Sequence, residues 1–146
     1  MREPELAEWI GYRSAGPVEL RLPAQARQLS LLRTVAHQVA LGAGFDRDEV
    51  ADIKLAVDEA CTCLISRSVP GAMLSCRYIT TPEAVRVTVS TTTREGTLPS
   101  QEAFGWQVLR TLTDSLAAWR DEQNGHRAAD RAVHIVFAKL RHVSVH

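Results

Sequence analysis

An excess of charge of either sign is missing from this chain. Its 146 residues carry 17 Lys and Arg against 17 Asp and Glu, so the formal net charge is zero. Proteins that grip nucleic acid directly carry a basic footprint. No Lys or Arg run supplies one here, which argues against direct nucleic-acid binding. Cysteine is scarce too. Cys61, Cys63 and Cys76 make no disulfide framework, and no His or Cys stands at zinc-ligand spacing around them, so no metal site is expected. Apolar runs of membrane-spanning length are missing, and so is an apolar signal-like segment near Met1. No membrane partner is expected, and the setting is read as cytoplasmic with reduced thiols. Internal repeats, low-complexity tracts and linkers are likewise lacking. What remains is a sequence 45% hydrophobic and 23% charged, the composition of a globular domain long enough to bury a core.

Residues 1–17 hold charges together with Gly11, Gly16 and Pro17, and read as an arm that is either mobile or docks Trp9 on a partner. Val18-Glu19-Leu20-Arg21-Leu22 alternates as a half-buried strand ended by Pro23. Leu29, Leu32, Val35, Ala36, Val39 and Ala40 recur at helical spacing until Gly42-Ala43-Gly44. Asp46 and Glu49 make an Asp version of a capping box. The helix it opens has the stripe Val50, Ile53, Val57, Ala60, Cys61, Leu64 and Ile65, and Pro70-Gly71 ends it. Ala72 to Thr80 and Val85 to Val89 form a hairpin about Thr81-Pro82-Glu83, and a polar, threonine-rich loop runs from Ser90 to about Ser100. Phe104, Val108, Leu109, Leu112 and Leu116 describe a third amphipathic helix. Ala117 to Asp121 reads as a short strand, Asn124-Gly125 as a turn, and Val133 to Leu140 as the last strand. Trp106 and Trp119 lie beside apolar stripes and are expected in the core. Strands and helices segregate, which predicts an α+β two-layer sandwich with about three helices on one face of a mostly antiparallel sheet. Residues 18–140 form one domain and 141–146 a tail.

Asp52-Ile53-Lys54-Leu55-Ala56-Val57-Asp58-Glu59-Ala60-Cys61-Thr62 is the most specific stretch. Two others accompany it: Leu29-Ser30-Leu31-Leu32-Arg33, and Gly105-Trp106-Gln107-Val108-Leu109-Arg110-Thr111-Leu112-Thr113-Asp114. Together they resemble the anti-sigma-factor serine kinases of Gram-positive bacteria, in the ATPase superfamily that includes gyrase B and histidine-kinase catalytic domains. The likeness runs from about Val18 to Leu140. It implies a protein that holds a sigma factor inactive, of the stress-response type in actinobacterial members, commonly as a homodimer. An anti-anti-sigma partner relieves the inhibition, and kinase-competent members phosphorylate that partner on serine with ATP. The resemblance also implies roles: Arg33 in partner recognition, Glu59 as general base, the position of Cys63 as a magnesium ligand, and Gly105 in phosphate binding.

Phosphoryl transfer is mostly positioning and charge neutralisation, with Mg²⁺ held by oxygen ligands. The family's helix offers an asparagine oxygen four residues after the glutamate. Here that position is Cys63, whose soft sulfur suits a hard cation poorly. The family's Asp-x-Gly-x-Gly, due after Val89, is replaced by Ser90-Thr91-Thr92-Thr93-Arg94-Glu95-Gly96, where β-branched threonine does not substitute for glycine. The lid loop is short and keeps only Gly105, and the family's late Gly-Thr pair is Ala132-Val133. The chain is therefore expected to be a binding module, an anti-sigma factor without a resident cofactor, any ATP and Mg²⁺ being held weakly. An ATP-dependent serine kinase using Glu59 is the alternative, and a regulator of the same fold with a non-sigma partner is a third reading. Glu59 is either solvated or lines a residual pocket, because Leu55, Ala56, Thr62, Cys63 and Ser66 around it are uncharged. Arg33 is either a surface arginine covering apolar area with its stem or a partner contact. Gly105 is a helix-start glycine or a phosphate contact. Redox chemistry at the three cysteines is a further way to modulate release.

Overall fold

A computed structural model describes residues 17–122 and 129–142. In chain order it contains β1 (Val18–Pro23), α1 (Leu29–Gly42), α2 (Arg47–Ile65), β2 (Met73–Thr80), β3 (Ala84–Thr93), α3 (Phe104–Leu112), β4 (Ser115–Arg120) and β5 (Arg131–Leu140). The strands form one sheet in the order β1-β2-β3-β5-β4, with every neighbouring pair antiparallel.

Period-two alternation sets the inner face of that sheet. Cys76 and Tyr78 of β2, Val85, Val87 and Val89 of β3, and Ile135 and Phe137 of β5 are all buried. They meet the helical stripe of Leu32, Ala36, Ile53, Val57 and Leu64 in a single core. The expected α+β sandwich, helices on one face of an antiparallel sheet, is the architecture found. α2 is its central helix, flanked by α1 and α3. Its start is fixed by the anticipated capping box: Glu49 N–H donates to Asp46 Oδ1 at 2.8 Å, and Asp46 N–H donates to Glu49 Oε1 at 3.0 Å.

Three expectations need correction. β3 does not stop at Val89 but continues to Thr93, so Ser90–Thr93 is strand rather than loop. Thr91 and Thr93 point inward and are buried, their hydroxyls donating to Met73 O at 2.8 Å and Thr97 O at 3.2 Å. α3 ends at Leu112, and Leu116 lies in β4 opposite Phe137. Trp119 is not core: it faces outward, 43% exposed, stacked on His134 with centroids 4.9 Å apart. Trp106 is buried as expected. The Asn124-Gly125 turn, residues 1–16 of the arm and 143–146 of the tail lie outside the described residues. Arg141 and His142 are tied to the fold, Arg141 N–H donating to Glu83 O at 2.7 Å and His142 N–H to Glu49 Oε2 at 2.8 Å.

Candidate functional site

One face of α2 is committed to the core, which leaves Glu59 and Cys63, a turn apart, half-buried on another. The structure brings Glu59 against Gly105. A Cβ added at Gly105 would lie 3.2 Å from Glu59 Oε2, so the missing side chain is what lets the carboxylate approach the first turn of α3. Unpaired N–H groups and the helix dipole make that turn favourable for negative charge. In this arrangement the carboxylate of Glu59 itself lies where a helix start receives an anion.

Cys63 has a neighbour that the sequence reading missed. Arg67 Nη1 donates to Cys63 O at 3.1 Å and lies 3.6 Å from Cys63 Sγ. Burial pushes the Cys63 thiol above its ordinary value, Arg67 pulls it down and Glu59 pushes it up. The thiol therefore stays protonated at neutral pH. A Mg²⁺ ion placed here would meet a protonated soft donor and a guanidinium already holding positive charge against it. Among the described residues no group of three His, Cys, Asp or Glu side chains is placed to hold a metal ion. These residues do not fit Mg²⁺. The signal for Arg67 was present in the sequence, since position i+4 shares the face of Cys63.

Arg33 belongs to a different place. It lies on α1, and its Nη1 donates to Asp58 Oδ1 at 2.6 Å, the two side chains being 45% and 27% exposed. With Ser30, Thr34, His37 and Lys54 it lines a cleft of about 360 Å³ on the outer side of the α1–α2 pair. Lys54 has no acid partner among the described residues. His37 Nδ1 is buried without a hydrogen-bond partner among them. Arg33 and Lys54 make the lining of the cleft basic.

Two further polar groupings were not foreseen. Ser90 Oγ lies 2.7 Å from His134 Nδ1, and His134 Nε2 lies 2.9 Å from Asp121 Oδ1, across the outer face of the sheet. Strand register alone would have placed Ser90 beside His134. Lys139 bridges Asp52 Oδ2 at 3.2 Å and Leu112 O at 3.2 Å, tying β5 to α2 and α3.

A two-layer fold whose central helix bears a glutamate against the start of a later helix defines a class. The family model for the histidine kinase-like ATPase domain matches residues 22–129, and the chain belongs to that family. Within it, the anti-sigma-F factor RsbW of Mycobacterium tuberculosis is 35% identical over 111 residues, covering 75% of this chain and 65% of that protein. The serine-protein kinase RsbW of Bacillus cereus is 33% identical over 51 residues, covering 35% of this chain and 32% of the kinase. The chain thus matches less than two thirds of either relative's length. The crystal structure of the RsbU and RsbW domains of a Mycobacterium tuberculosis protein superimposes with a TM-score of 0.58 at 14% identity. It covers 88% of this chain and 33% of that one, a likeness of fold. No helix among the described residues is long and apolar enough to cross a membrane.

Proposed function

We propose that this chain is an anti-sigma factor: it binds an alternative sigma factor of the stress-response type and releases it to an anti-anti-sigma partner. On this reading it works in the cytoplasm as a homodimer, without nucleic acid or membrane, and its nucleotide position no longer supports catalysis. The observation that carries the reading is Cys63 with Arg67 against it. The helix position that holds magnesium in the kinases this chain resembles offers here a sulfur beside a fixed cation. The binding half of the family's work is supported by Arg33, exposed on α1 at the margin of a basic cleft. The similarity to an anti-sigma-F factor points the same way.

The decisive experiment has two arms. The full chain, co-expressed with each alternative sigma factor of its host, is expected to co-purify with one of them. Isothermal titration and melting curves with ATP or ADP and Mg²⁺ are expected to show no heat and no shift. A ligand at a hundred times its Kd would stabilise by about 2.7 kcal/mol, which a melting curve cannot miss. Nucleotide binding in the micromolar range would instead favour the serine-kinase reading. That reading draws on Glu59 at the start of α3, and labelled ATP with the anti-anti-sigma partner would then decide it.

A further inference from the structure

β4 ends the sheet, and no strand among the described residues pairs with its outer edge. Asp121 N–H donates to Ala132 O at 2.9 Å, and the register from Ser115↔Ala138 to Arg120↔Val133 carries that pairing along β4 two residues at a time. Ser115, Ala117 and Trp119 therefore bond to β5, whereas Leu116, Ala118 and Arg120 turn their N–H and C=O groups away from it. Among the described residues none of those outward backbone groups has a hydrogen-bond partner. Natural edges discourage strand addition with Lys, Pro or a bulge. Ser115-Leu116-Ala117-Ala118-Trp119 carries no Lys and no Pro.

A cleft of about 400 Å³ lies between this edge and α3, with Trp106 and Arg110 in its helical wall and Gln101 in the turn before it. A cleft between an edge strand and a helix suits an extended segment, because the strand supplies backbone bonds and the helix meets every second side chain. The helical wall is rich in donors. Arg110 is exposed and has no acid partner among the described residues. The Trp106 indole N–H is buried without a partner among them. Asp114, the one acid in the lining, already accepts from Leu140 N–H at 2.7 Å.

We propose that this cleft is a peptide-docking site, in which an extended, acidic segment of a partner protein adds to β4 as a sixth strand and sets a carboxylate on Arg110. A second copy of the chain is the poorer occupant. Its β4 brings no free carboxylate, since Asp114 and Asp121 are held by Leu140 N–H and His134. The cleft shares no residue with Glu59, Cys63, Gly105 or Arg33, so it stands apart from the function proposed above.

Amide exchange read by NMR on the full chain tests the site, with blocked peptides Thr-Glu-Val-Glu-Val-Thr and Thr-Lys-Val-Lys-Val-Thr as probes. The acidic peptide is expected to slow exchange at Leu116, Ala118 and Arg120 and to move the Trp106 indole signal, and the lysine peptide to do neither. Ala118→Pro removes one outward N–H and no ladder bond, and is expected to weaken the acidic peptide about tenfold. Arg110→Glu leaves β4 untouched and is expected to reverse the preference between the two peptides. Equal protection by both peptides, or by neither, overturns the proposal. So does a dimer that Ala118→Pro dissolves, which would make the occupant a second copy.

Discussion

Cys63 is half-buried with Arg67 beside its sulfur, and its thiol is pushed above the ordinary value of 9.0 by burial first, with Arg67 pulling it down and Glu59 adding a smaller push up. The consequence for stability has a definite sign. The folded pKa is the higher one, so the contribution is complete below the unfolded pKa and is lost as pH rises through the folded pKa, because the unfolded chain releases its proton first. Cys63→Ser removes that contribution. Urea denaturation between about pH 8 and about pH 10 is expected to give a flatter decline of stability for the variant than for the parent. Some alkaline loss remains, since Cys61 is raised by its hydrogen bond to Cys76 and by burial, and Tyr78 by burial. Parallel curves for the two proteins would mean that the Cys63 sulfur is as well hydrated in the fold as out of it.

α2 shows how a single helix terminus reaches across the fold. Glu49 is 5% exposed, and its carboxylate accepts Asp46 N–H with one oxygen and His142 N–H with the other, 93 residues away. Glu49→Ala loses half of the capping box and leaves the His142 N–H without its acceptor, a cost of about 2 kcal/mol. Equilibrium unfolding is expected to show that loss, with Glu49→Gln falling between the variant and the parent. A cost below half a kilocalorie would assign the cap to Asp46 alone. The first of these bonds was legible in the sequence, because Asp46 and Glu49 stand three apart ahead of an apolar stripe. The second was not, because nothing local relates Glu49 to His142. The same contrast explains the misread elements. The Ser90–Thr93 run looks polar enough for a loop, yet threonine is β-branched and alternates well, and Thr91 and Thr93 satisfy their hydroxyls inside the sheet. Leu116 falls four residues after Leu112 and so continues a helical stripe. However, Thr113 takes an extended conformation, and Asp114 N–H already donates to Ala138 O of β5 at 2.9 Å. Periodicity located the core, and long-range pairing decided where the elements end.

At the scale of the whole molecule, three polar features share no residue: Glu59 against Gly105, Arg33 with Asp58 beside a basic cleft, and the cleft along the outer edge of β4. The Arg33–Asp58 pair shows why stability and binding should be measured separately. Both side chains reach solvent, and exposed ion pairs contribute between nothing and about 1 kcal/mol, so the pair is a poor candidate for holding α1 onto α2. That work is done by buried Leu32, Ala36, Ile53 and Val57. What the pair does is hold the guanidinium in one place at 2.6 Å from an internal carboxylate. A partner that presents its own acid must compete with Asp58 for it. Asp58→Asn is therefore expected to leave the melting temperature within about a degree or two and, on the function proposed above, to tighten the complex with the sigma-factor partner, whereas Arg33→Ala is expected to weaken it. Affinities of the two variants from isothermal titration would separate the possibilities. If Asp58→Asn weakened the complex as much as Arg33→Ala, the pair would be recognised as a unit, with Asp58 orienting the guanidinium rather than competing for it.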